Sequence, residues 1–462
     1  MKLLIISFFI FFQMNCSKSF SNPNDPGNSD YWTTQYLYTN QLARIINPPP
    51  SEIYFSTSSK AFYVGYKLDI SYQASYKGGK PASYSNSPTL PSGISMNSSG
   101  LFSGTPTTVT SPSDYTITGC HKYGCASTTV NLRVVNATAN TVYGQNGSFT
   151  SISTQTTSAT SLNSPNWVIG DSSGGIYISD TFSHRVLYYP QNSTTATVVY
   201  GQSNFTSSGS STSQTGLRYP TGLALTSAGD LYVTDGGNHR VLFYPKNSTT
   251  PTRVLGQADY TSSSTGTTSS KFNIPIGLAI DNSDGLYVVD AGNNRVLYFP
   301  SGATTATKVY GQSDFTSSTS GTSTTKFVGP TGVALDTSGG LYVSDYSNNR
   351  VLYFQAGSTI ASKVLGQTDF TSNSINGLGY PYSIYVDSSG GIYVSEQNYN
   401  RVTYYLSMDS INSLIVYGQK GVTNDSSKYV DADGLQFPMG VFVNSSGKLY
   451  IADRANNRVL GY

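Results

Sequence analysis

PIGLAIDNSDGLYVVDAGNNRV, residues 275–296, is the stretch that decides the fold, because the chain repeats it. Five further copies begin at a proline, pass through a strand like Gly-Leu-Tyr-Val-x-Asp and end at Arg-Val. In every copy the arginine follows the proline by 20 residues. The prolines are Pro165, Pro220, Pro275, Pro330, Pro381 and Pro438. A long repeat with fixed inner spacing indicates a propeller or a solenoid.

The variation in repeat length is confined to one place. A Tyr/Leu-Gly-Gln motif follows each arginine, and the stretch from there to the next proline is rich in Ser, Thr and Gly. Loops accept insertions at little cost, whereas paired strands cannot slip without turning every side chain over. We therefore expect four strands in each repeat. In the second copy they are predicted at Gly222–Leu225, Leu231–Asp235, Arg240–Tyr244 and Thr252–Gly256.

The motifs at the two ends of the repeat region are offset by one strand. Tyr143-Gly144-Gln145 stands before the first proline, and the last copy ends at Arg458–Tyr462 without a fourth strand. The simplest arrangement pairs Thr141–Gly144 with Arg458–Tyr462. Such pairing closes a ring and covers two strand edges that would otherwise be exposed. The offset therefore favours a closed propeller of six blades over an open solenoid.

The repeated phrase, best seen at Pro275–Val296 and Pro330–Val351, resembles the NHL repeat. The resemblance implies a six-bladed NHL-type β-propeller over residues 137–462. It also implies that the long loops between blades share one face with the tight turns after the second strand of each blade. The first and fifth copies depart from the pattern, with His184 in place of Asn and Glu396 in place of Asp.

The segment before the propeller, residues 51–136, contains short apolar stretches separated by turn residues. Strands are predicted at Glu52–Phe55, Lys67–Tyr72, Gly100–Gly104, Tyr115–Gly119 and Thr128–Val135. Residues 88–118, with Pro88-Thr89-Leu90-Pro91 and Gly100-Leu101-Phe102-Ser103-Gly104-Thr105-Pro106, resemble the bacterial putative Ig family. This resemblance implies a small Ig-like β-sandwich that acts as a spacer or as an adhesive module. The predicted fold class is therefore all-β.

The N-terminus indicates export. Lys2 precedes the apolar run Leu3–Phe12, which is too short to span a bilayer but suits a secretory signal, and Cys16 follows. Residues 1–16 resemble a bacterial lipoprotein signal, which implies lipidation of Cys16. Cleavage with a free cysteine and an uncleaved anchor remain alternatives. Residues 17–50 are predicted to be a tether. We therefore expect a lipid-anchored protein in the bacterial cell envelope, at the outer membrane or cell surface, with the lipid as its only membrane contact.

Composition narrows the possible partners. Only 11% of residues are charged and the net charge is +2, so no basic stripe for nucleic acid is expected. In an exported chain Cys120 and Cys125 favour a disulfide across a tight turn. The same spacing could be half of a metal knuckle, but the sequence has no second half. No metal, no other cofactor and a monomer are expected.

Each repeat carries an acidic residue five positions before its arginine. The two flank one turn in every copy and could pair across it, so we expect them to support the blades rather than to form a metal or phosphate site. These predicted structural residues are Asp180, Arg185, Asp235, Arg240, Asp290, Arg295, Asp345, Arg350, Glu396, Arg401, Asp453 and Arg458.

The remaining candidates for function lie on the predicted face of turns and loops. Loops such as Ser203–Arg218, Thr261–Lys271 and Thr316–Lys326 are uncharged over most of their length and rich in hydroxyls, although they could also be solvated padding. The predicted binding residues are Asn166, Thr221, Thr331, Tyr382, Asn238, Asn293, Asn294, Asn348 and Asn349.

No catalytic constellation stands out in the sequence. We therefore expect a binding or adhesion scaffold for a protein or glycan, and no enzymatic activity. The alternatives are a metal-dependent periplasmic enzyme of the lyase or lactonase type, or a purely structural envelope protein.

Overall fold

The computed structural model describes residues 41, 44, 48–68, 72–152, 156–375, 377–410, 412–419 and 431–462. The chain divides into two compact units. The first comprises the residues up to Lys60 together with Lys67–Thr107 and Pro112–Leu132. The second comprises Ala61–Tyr66, Thr108–Ser111 and Arg133–Tyr462. The predicted signal and tether, residues 1–50, fall almost wholly outside the described residues.

The region before the propeller contains eight strands. They are β1 (Pro50–Tyr54), β2 (Ser59–Tyr63), β3 (Ser75–Gly78), β4 (Ser83–Ser87), β5 (Ile94–Met96), β6 (Phe102–Gly104), β7 (Thr110–His121) and β8 (Gly124–Val135). One four-stranded sheet has the order β2-β8-β7-β4, and β1 pairs with β3 and β5 with β6. The long hairpin β7–β8 alternates buried and exposed residues along most of its length, as expected of a sheet with one face on a core.

An aromatic cluster lies in the core of this Ig-like fold. The rings of Phe55 and Tyr72 stack with centroids 4.9 Å apart, and Phe102 packs edge-on against Phe55 at 5.8 Å. The Ig-like class is confirmed, but its strands were only partly predicted. β2, β3, β4 and β5 were missed: Ser, Lys and Asn dominate β3 and β4 and hide the alternation there, and β5 has only three residues. In the predicted strand Lys67–Tyr72, the described residues 67, 68 and 72 are not in a strand.

The second unit is built from six four-stranded antiparallel sheets, which form the blades. Blade 1 is β10 (Pro165–Gly170), β11 (Ile176–Asp180), β12 (Arg185–Tyr189) and β13 (Val198–Tyr200). Blade 2 is β14 (Pro220–Leu225), β15 (Leu231–Asp235), β16 (Arg240–Tyr244) and β17 (Arg253–Leu255). Blade 3 is β18 (Pro275–Ile280), β19 (Leu286–Asp290), β20 (Arg295–Phe299) and β21 (Lys308–Tyr310).

The second half of the propeller repeats this plan. Blade 4 is β22 (Val333–Leu335), β23 (Leu341–Asp345), β24 (Arg350–Phe354) and β25 (Lys363–Leu365). Blade 5 is β26 (Pro381–Val386), β27 (Ile392–Glu396), β28 (Arg401–Tyr405) and β29 (Ile415–Tyr417). Blade 6 is β30 (Pro438–Val443), β31 (Leu449–Asp453), β32 (Arg458–Gly461) and β9 (Thr141–Gly144).

The ring closes through the first strand of the propeller. β9 pairs antiparallel with β32, with Val142 opposite Leu460 and Gly144 opposite Arg458. Both apolar residues are buried. The predicted closure is thus confirmed, and β32 is paired on both sides, with β31 and with β9.

The innermost strands of neighbouring blades approach closely at the second residue after each repeat proline, where blades 2, 3, 4 and 6 have a glycine and blade 5 has Ser383. A Cβ atom at Gly222 would lie 2.1 Å from the carbonyl oxygen of Ile276 in the next blade, and one at Gly277 would lie 2.4 Å from that of Thr331. Blade 1 has Trp167 at the equivalent position, and this side chain is buried. The Pro-x-Gly motif therefore reflects the packing of one blade against the next.

Candidate functional site

A buried ion pair fixes the turn between the second and third strands of every blade. The Nε–Oδ2 distance is 2.7 Å in the five Asp–Arg pairs, and the Nε–Oε1 distance of Glu396–Arg401 is 3.0 Å. Burial raises the pKa of Asp235 to about 6, although the guanidinium of Arg240 opposes this shift. Because the same pair recurs in all six blades, it gives none of them a special chemistry.

The arginines of the five Asp–Arg pairs also hold the long loops. In blade 2, Nη2 of Arg240 donates to the carbonyls of Ser213 (2.9 Å) and Gly216 (2.9 Å) in the loop that precedes the blade. Nη1 donates to the carbonyl of Tyr260 in the loop that follows. The loops are thus tied to the blades by charge-assisted hydrogen bonds, which are stronger than neutral ones. We call the end of the propeller that carries these turns and loops the mouth face.

The first asparagine of each predicted binding pair lies inside its blade. Asn238 is fully buried, and its Nδ2 donates to Oδ2 of Asp235 (2.8 Å) and to the carbonyl of Ser211 (2.9 Å). Asn293 and Asn348 are buried and make the same two contacts. Contrary to expectation, these three amides are not available to a ligand, because they support the ion pair and the loop.

The residue directly before each arginine reaches the next blade. In blade 3, Oδ1 of Asn294 accepts a hydrogen bond from the amide of Gly329 in blade 4 (2.9 Å). Asn349 contacts Tyr380 in the same way, and His184 and His239 accept through Nδ1. The same bond links Asn457 of blade 6 to Ser164 of blade 1 at 2.8 Å. Asn294 and Asn349 are therefore occupied by contacts between blades.

The six residues that donate these amides all have left-handed backbone conformations, with φ between 50° and 58°. We call them the rim: Ser164, Tyr219, Ile274, Gly329, Tyr380 and Phe437. A bulky residue in this conformation is unusual and costs about 1–2 kcal/mol. All six rim residues directly precede a repeat proline. The sequence analysis missed the rim, because neither its conformation nor its exposure follows from residue type.

Four rim side chains are large, apolar or aromatic, and exposed. Tyr219 is 43% exposed, Ile274 50%, Tyr380 37% and Phe437 43%. Glycine at the fourth rim position shows that the architecture needs no side chain there. The large residues therefore adopt an unfavourable conformation without gaining full burial. Strained residues of this kind are found preferentially at functional sites.

Side chains from blades on different sides of the ring meet beneath the mouth face. Oη of Tyr382 in blade 5 donates to Oδ1 of Asn166 in blade 1 (2.9 Å), although blade 6 separates the two along the ring. The ring of Trp167 lies 6.3 Å from that of Tyr382. All three are buried, and burial raises the pKa of Tyr382 to about 12. Two predicted binding residues, Asn166 and Tyr382, thus form a plug in the central channel.

The remaining two channel residues predicted to bind are hydroxyls that contact backbone. Oγ1 of Thr221 donates to the carbonyl of Ile276 (3.2 Å), and Oγ1 of Thr331 donates to that of Tyr382 (2.8 Å). Thr331 is buried, whereas Thr221 is half-buried and lines a cavity. Of the predicted set, Thr221 is therefore the residue best placed to face a ligand.

The mouth is asymmetric because the first residue of each turn differs between blades. Blades 4, 5 and 6 contribute Tyr346, Gln397 and Arg454, whereas blades 2 and 3 contribute Gly236 and Ala291. Oη of Tyr346 donates to Oε1 of Gln397 at 2.7 Å, and the ring of Tyr346 stacks on rim residue Tyr380 at 5.0 Å. One half of the mouth is therefore filled by large side chains, and the other half is open.

A cavity of about 390 Å³ occupies the open half. Rim residues Tyr219 and Ile274 stand on either side, and Thr221, Gly236 and His239 line it between them. Burial and the nearby Arg218 guanidinium lower the pKa of His239. A neutral His239 whose Nδ1 accepts from Ile274 has its proton on Nε2, where it can donate to a ligand.

Two arginines bring positive charge to the mouth face. Arg218 is exposed and lines the cavity, and the Arg454 guanidinium lies 5.6 Å above the ring of Phe182. Phe182 is 46% exposed and packs edge-on against Tyr219 at 5.8 Å. Among the described residues, neither arginine forms an ion pair with a carboxylate. The mouth thus combines exposed aromatic rings with guanidinium groups.

The remaining candidates for chemistry are the cysteines and possible metal ligands. Cys120 and Cys125 form a disulfide between β7 and β8, with Cα atoms 4.1 Å apart. Within the described ranges no three His, Cys, Asp or Glu side chains come together in a way that could hold a metal ion. Cys16, the predicted lipidation site, lies outside the described residues.

Family models match two parts of the chain. The Putative Ig domain matches residues 46–137, and the NHL repeat matches residues 217–243, 272–299 and 327–354. These matches confirm both resemblances drawn from the sequence. No curated protein matches the chain.

Several solved structures share the fold at low identity. A streptogramin B lyase is 12% identical, with a TM-score of 0.42, over 83% of this chain and 99% of its own. A gluconolactonase from Xanthomonas campestris is 12% identical, with a TM-score of 0.44, over 70% and 97%. A protein of unknown function from Bacteroides thetaiotaomicron is 14% identical, with a TM-score of 0.47, over 89% and 98%.

These structures correct one expectation. From the sequence we predicted no enzymatic activity. That prediction is wrong, because two of the similar structures are of enzymes. At 12% identity the likeness concerns the fold alone. Nothing about the chemistry of these enzymes passes to this chain.

Proposed function

We propose that this chain, which carries an Ig-like domain and a propeller of NHL repeats, is an exported protein of the bacterial cell envelope. Its propeller binds a protein or glycan partner at the mouth face. The observation that carries this proposal is the set of large side chains exposed at the rim in a strained backbone conformation. Binding sites are commonly built from exposed aromatic residues on a rigid scaffold.

The rigidity of the mouth face supports a binding role. Each rim residue is held by its amide to the preceding blade, and the buried arginines of the five Asp–Arg pairs hold the loops beside them. Little conformational freedom is then lost when a partner binds, and affinity rises accordingly. The asymmetry of the mouth further favours one orientation of the bound partner.

The envelope location rests on the N-terminal sequence. Lys2, the apolar run Leu3–Phe12 and Cys16 favour export and lipidation, and a disulfide suits an oxidising compartment outside the cytoplasm. No helix in the described part of the chain is long and apolar enough to cross a bilayer. The lipid on Cys16 would then be the only membrane contact.

Binding at the mouth face can be tested with envelope extract. The full-length protein is immobilised and compared with Tyr380→Gly, which removes an exposed rim side chain. Ile360→Gly serves as the control, because Ile360 is 57% exposed and lies near the turn between β24 and β25 at the opposite end of the blades. Capture that is lost with Tyr380→Gly and kept with Ile360→Gly supports the proposal. Capture that is equal for all three proteins contradicts it.

The anchor can be tested separately by membrane fractionation. Cys16→Ser should move the protein from the membrane to the soluble fraction, because no acyl chain can be attached to serine in this way. Ser17→Ala is the control and should remain with the membrane. If Cys16→Ser stays in the membrane fraction, lipidation of this cysteine is refuted.

A further inference from the structure

The rim residues pose a question that the proposed function leaves open, namely which chemistry they serve. The left-handed conformation is required at all six positions, since each amide must point to the preceding blade. Glycine and serine meet this requirement in two blades. The other four carry Tyr219, Ile274, Tyr380 and Phe437, and each of these side chains stays 37–50% exposed. The selection of these residues therefore points to a ligand rather than to the fold.

We propose that the mouth face binds an acidic polysaccharide, with sugar rings on Phe182 and Tyr219 and sugar carboxylates on Arg218 and Arg454. This inference rests on the proposed function and names the class of partner. The proposed site is an arc across blades 6, 1, 2 and 3. It runs from Arg454 over Phe182 and Tyr219 to Arg218 and Ile274.

The aromatic part of the arc suits a sugar ring. A pyranose has C–H groups on its face and hydroxyls at its edge, and its C–H groups pack well against the negative face of an aromatic ring. Phe182 and Tyr219 form an edge-to-face pair at 5.8 Å and are 46% and 43% exposed. The four large exposed rim residues lie on four different blades rather than in one apolar patch. This spacing fits a chain of separate rings better than a single hydrophobic helix.

The charged part of the arc favours carboxylates on the sugar. Arg218 and Arg454 lack a carboxylate partner among the described residues, and the acidic side chains of the neighbouring turns are buried against other arginines. A guanidinium binds a carboxylate through two parallel hydrogen bonds. The Arg454 guanidinium lies 5.6 Å from the centre of the Phe182 ring, so a carboxylate bound to it would lie close to this aromatic side chain. His239 adds an Nε2 donor within the same cavity.

The test uses the full-length protein and immobilised alginate, a polymer of uronic acids, with dextran as the neutral polymer. Wild-type protein should bind alginate at least tenfold more tightly than dextran. Tyr219→Gly and Arg454→Gln should each weaken alginate binding by about tenfold or more. Ile360→Gly and Arg253→Gln are the matched controls. Arg253 also lies over an aromatic ring, that of Phe243 at 4.1 Å, but begins β17 at the opposite end of the blade.

The controls separate specific binding from simple charge attraction. If Arg253→Gln weakens alginate binding as much as Arg454→Gln, the contact is non-specific and the inference is overturned. Equal binding to dextran and alginate, or no binding to alginate, also overturns it. Arg218→Gln, with an exposed side chain, provides a second variant in the arc should Tyr219→Gly fail to fold.

The experiment also distinguishes this inference from the proposed function. Envelope material, such as a protein, could be captured through the mouth face and not be displaced by soluble alginate. This result would refute the acidic polysaccharide and leave the proposed function standing. Envelope material captured equally by wild type and rim variants refutes the proposed function itself.

Discussion

Replacing Arg295 with methionine is expected to destabilise the propeller more than any change at an exposed ion pair. The Arg295 side chain is fully buried, and its Nε donates to Oδ2 of Asp290 at 2.7 Å. Its Nη2 donates to the carbonyls of Thr268 (2.9 Å) and Lys271 (3.1 Å), and its Nη1 donates to that of Phe315. Methionine fills similar space but leaves the Asp290 carboxylate buried without a counter-charge.

The expected size of the effect follows from this geometry. Removing one partner of a buried ion pair costs about 3–5 kcal/mol. Unfolding entropy is about 2.1 cal/mol/K per residue, which gives about 0.7 kcal/mol/K for a propeller of roughly 320 residues. The midpoint of thermal unfolding should therefore fall by about 4–7 °C.

Thermal unfolding followed by circular dichroism at pH 7 measures this change. Lys363→Met is the matched control. It breaks an ion pair with Asp409 of 2.6 Å, but the two side chains are 45% and 70% exposed. Solvent screens such a pair, so the midpoint should move by about 1 °C or less. The reasoning is refuted if Arg295→Met unfolds within about 1 °C of wild type, or if the two variants lose equal stability.

Two further predictions concern the contacts between blades. Burial lowers the pKa of His184 and His239. As the pH falls, these side chains therefore bind protons in the unfolded chain before they do so in the folded one. The two histidines thus contribute stability above about pH 6.5, and this contribution is lost at lower pH. Replacing both with Asn, the residue that other blades use, should flatten the decline of the unfolding midpoint between pH 6.5 and 5; an unchanged decline contradicts the assignment. Gly222→Ala should destabilise strongly, because its Cβ would meet the carbonyl of Ile276 at 2.1 Å, whereas Gly209→Ala has open space. Comparable urea midpoints for the two alanine variants would count against close packing as the role of the glycine.

Much of the propeller could be predicted because its features repeat. The strands Leu231–Asp235 and Arg240–Tyr244 were predicted with the bounds that the structure has, since strong apolar patterns and a tight turn define both ends. The outer strand is shorter than predicted, Arg253–Leu255 instead of Thr252–Gly256. An edge strand lacks a partner on one side, so its ends are set by few contacts. Polar strands such as Ser83–Ser87 gave no pattern to detect.

The site was less accessible to sequence reasoning. Asn238 appeared to be a surface residue because polar side chains usually are, yet its burial is decided by a loop carbonyl distant in sequence. Tyr219 and Phe437 were overlooked, although a large residue directly before four of the six repeat prolines was visible. Their exposure and left-handed conformation arise only when neighbouring blades come together. The useful signal was the variation between copies of the repeat rather than the residues that recur. For example, blade 6 has Arg454 at the position where blade 2 has Gly236.

The pairing of β9 with β32 has a consequence for synthesis of the chain. Gly144 is made roughly 300 residues before its partner Arg458, which at about 5–20 residues per second is a delay of about 15–60 s. Blades 1 to 5 can each be completed within one repeat of their first strand, whereas the sixth stays one strand short until translation reaches β32. Throughout that interval the apolar strand β9 lacks its partner, so correct folding depends on keeping β9 from pairing with another strand.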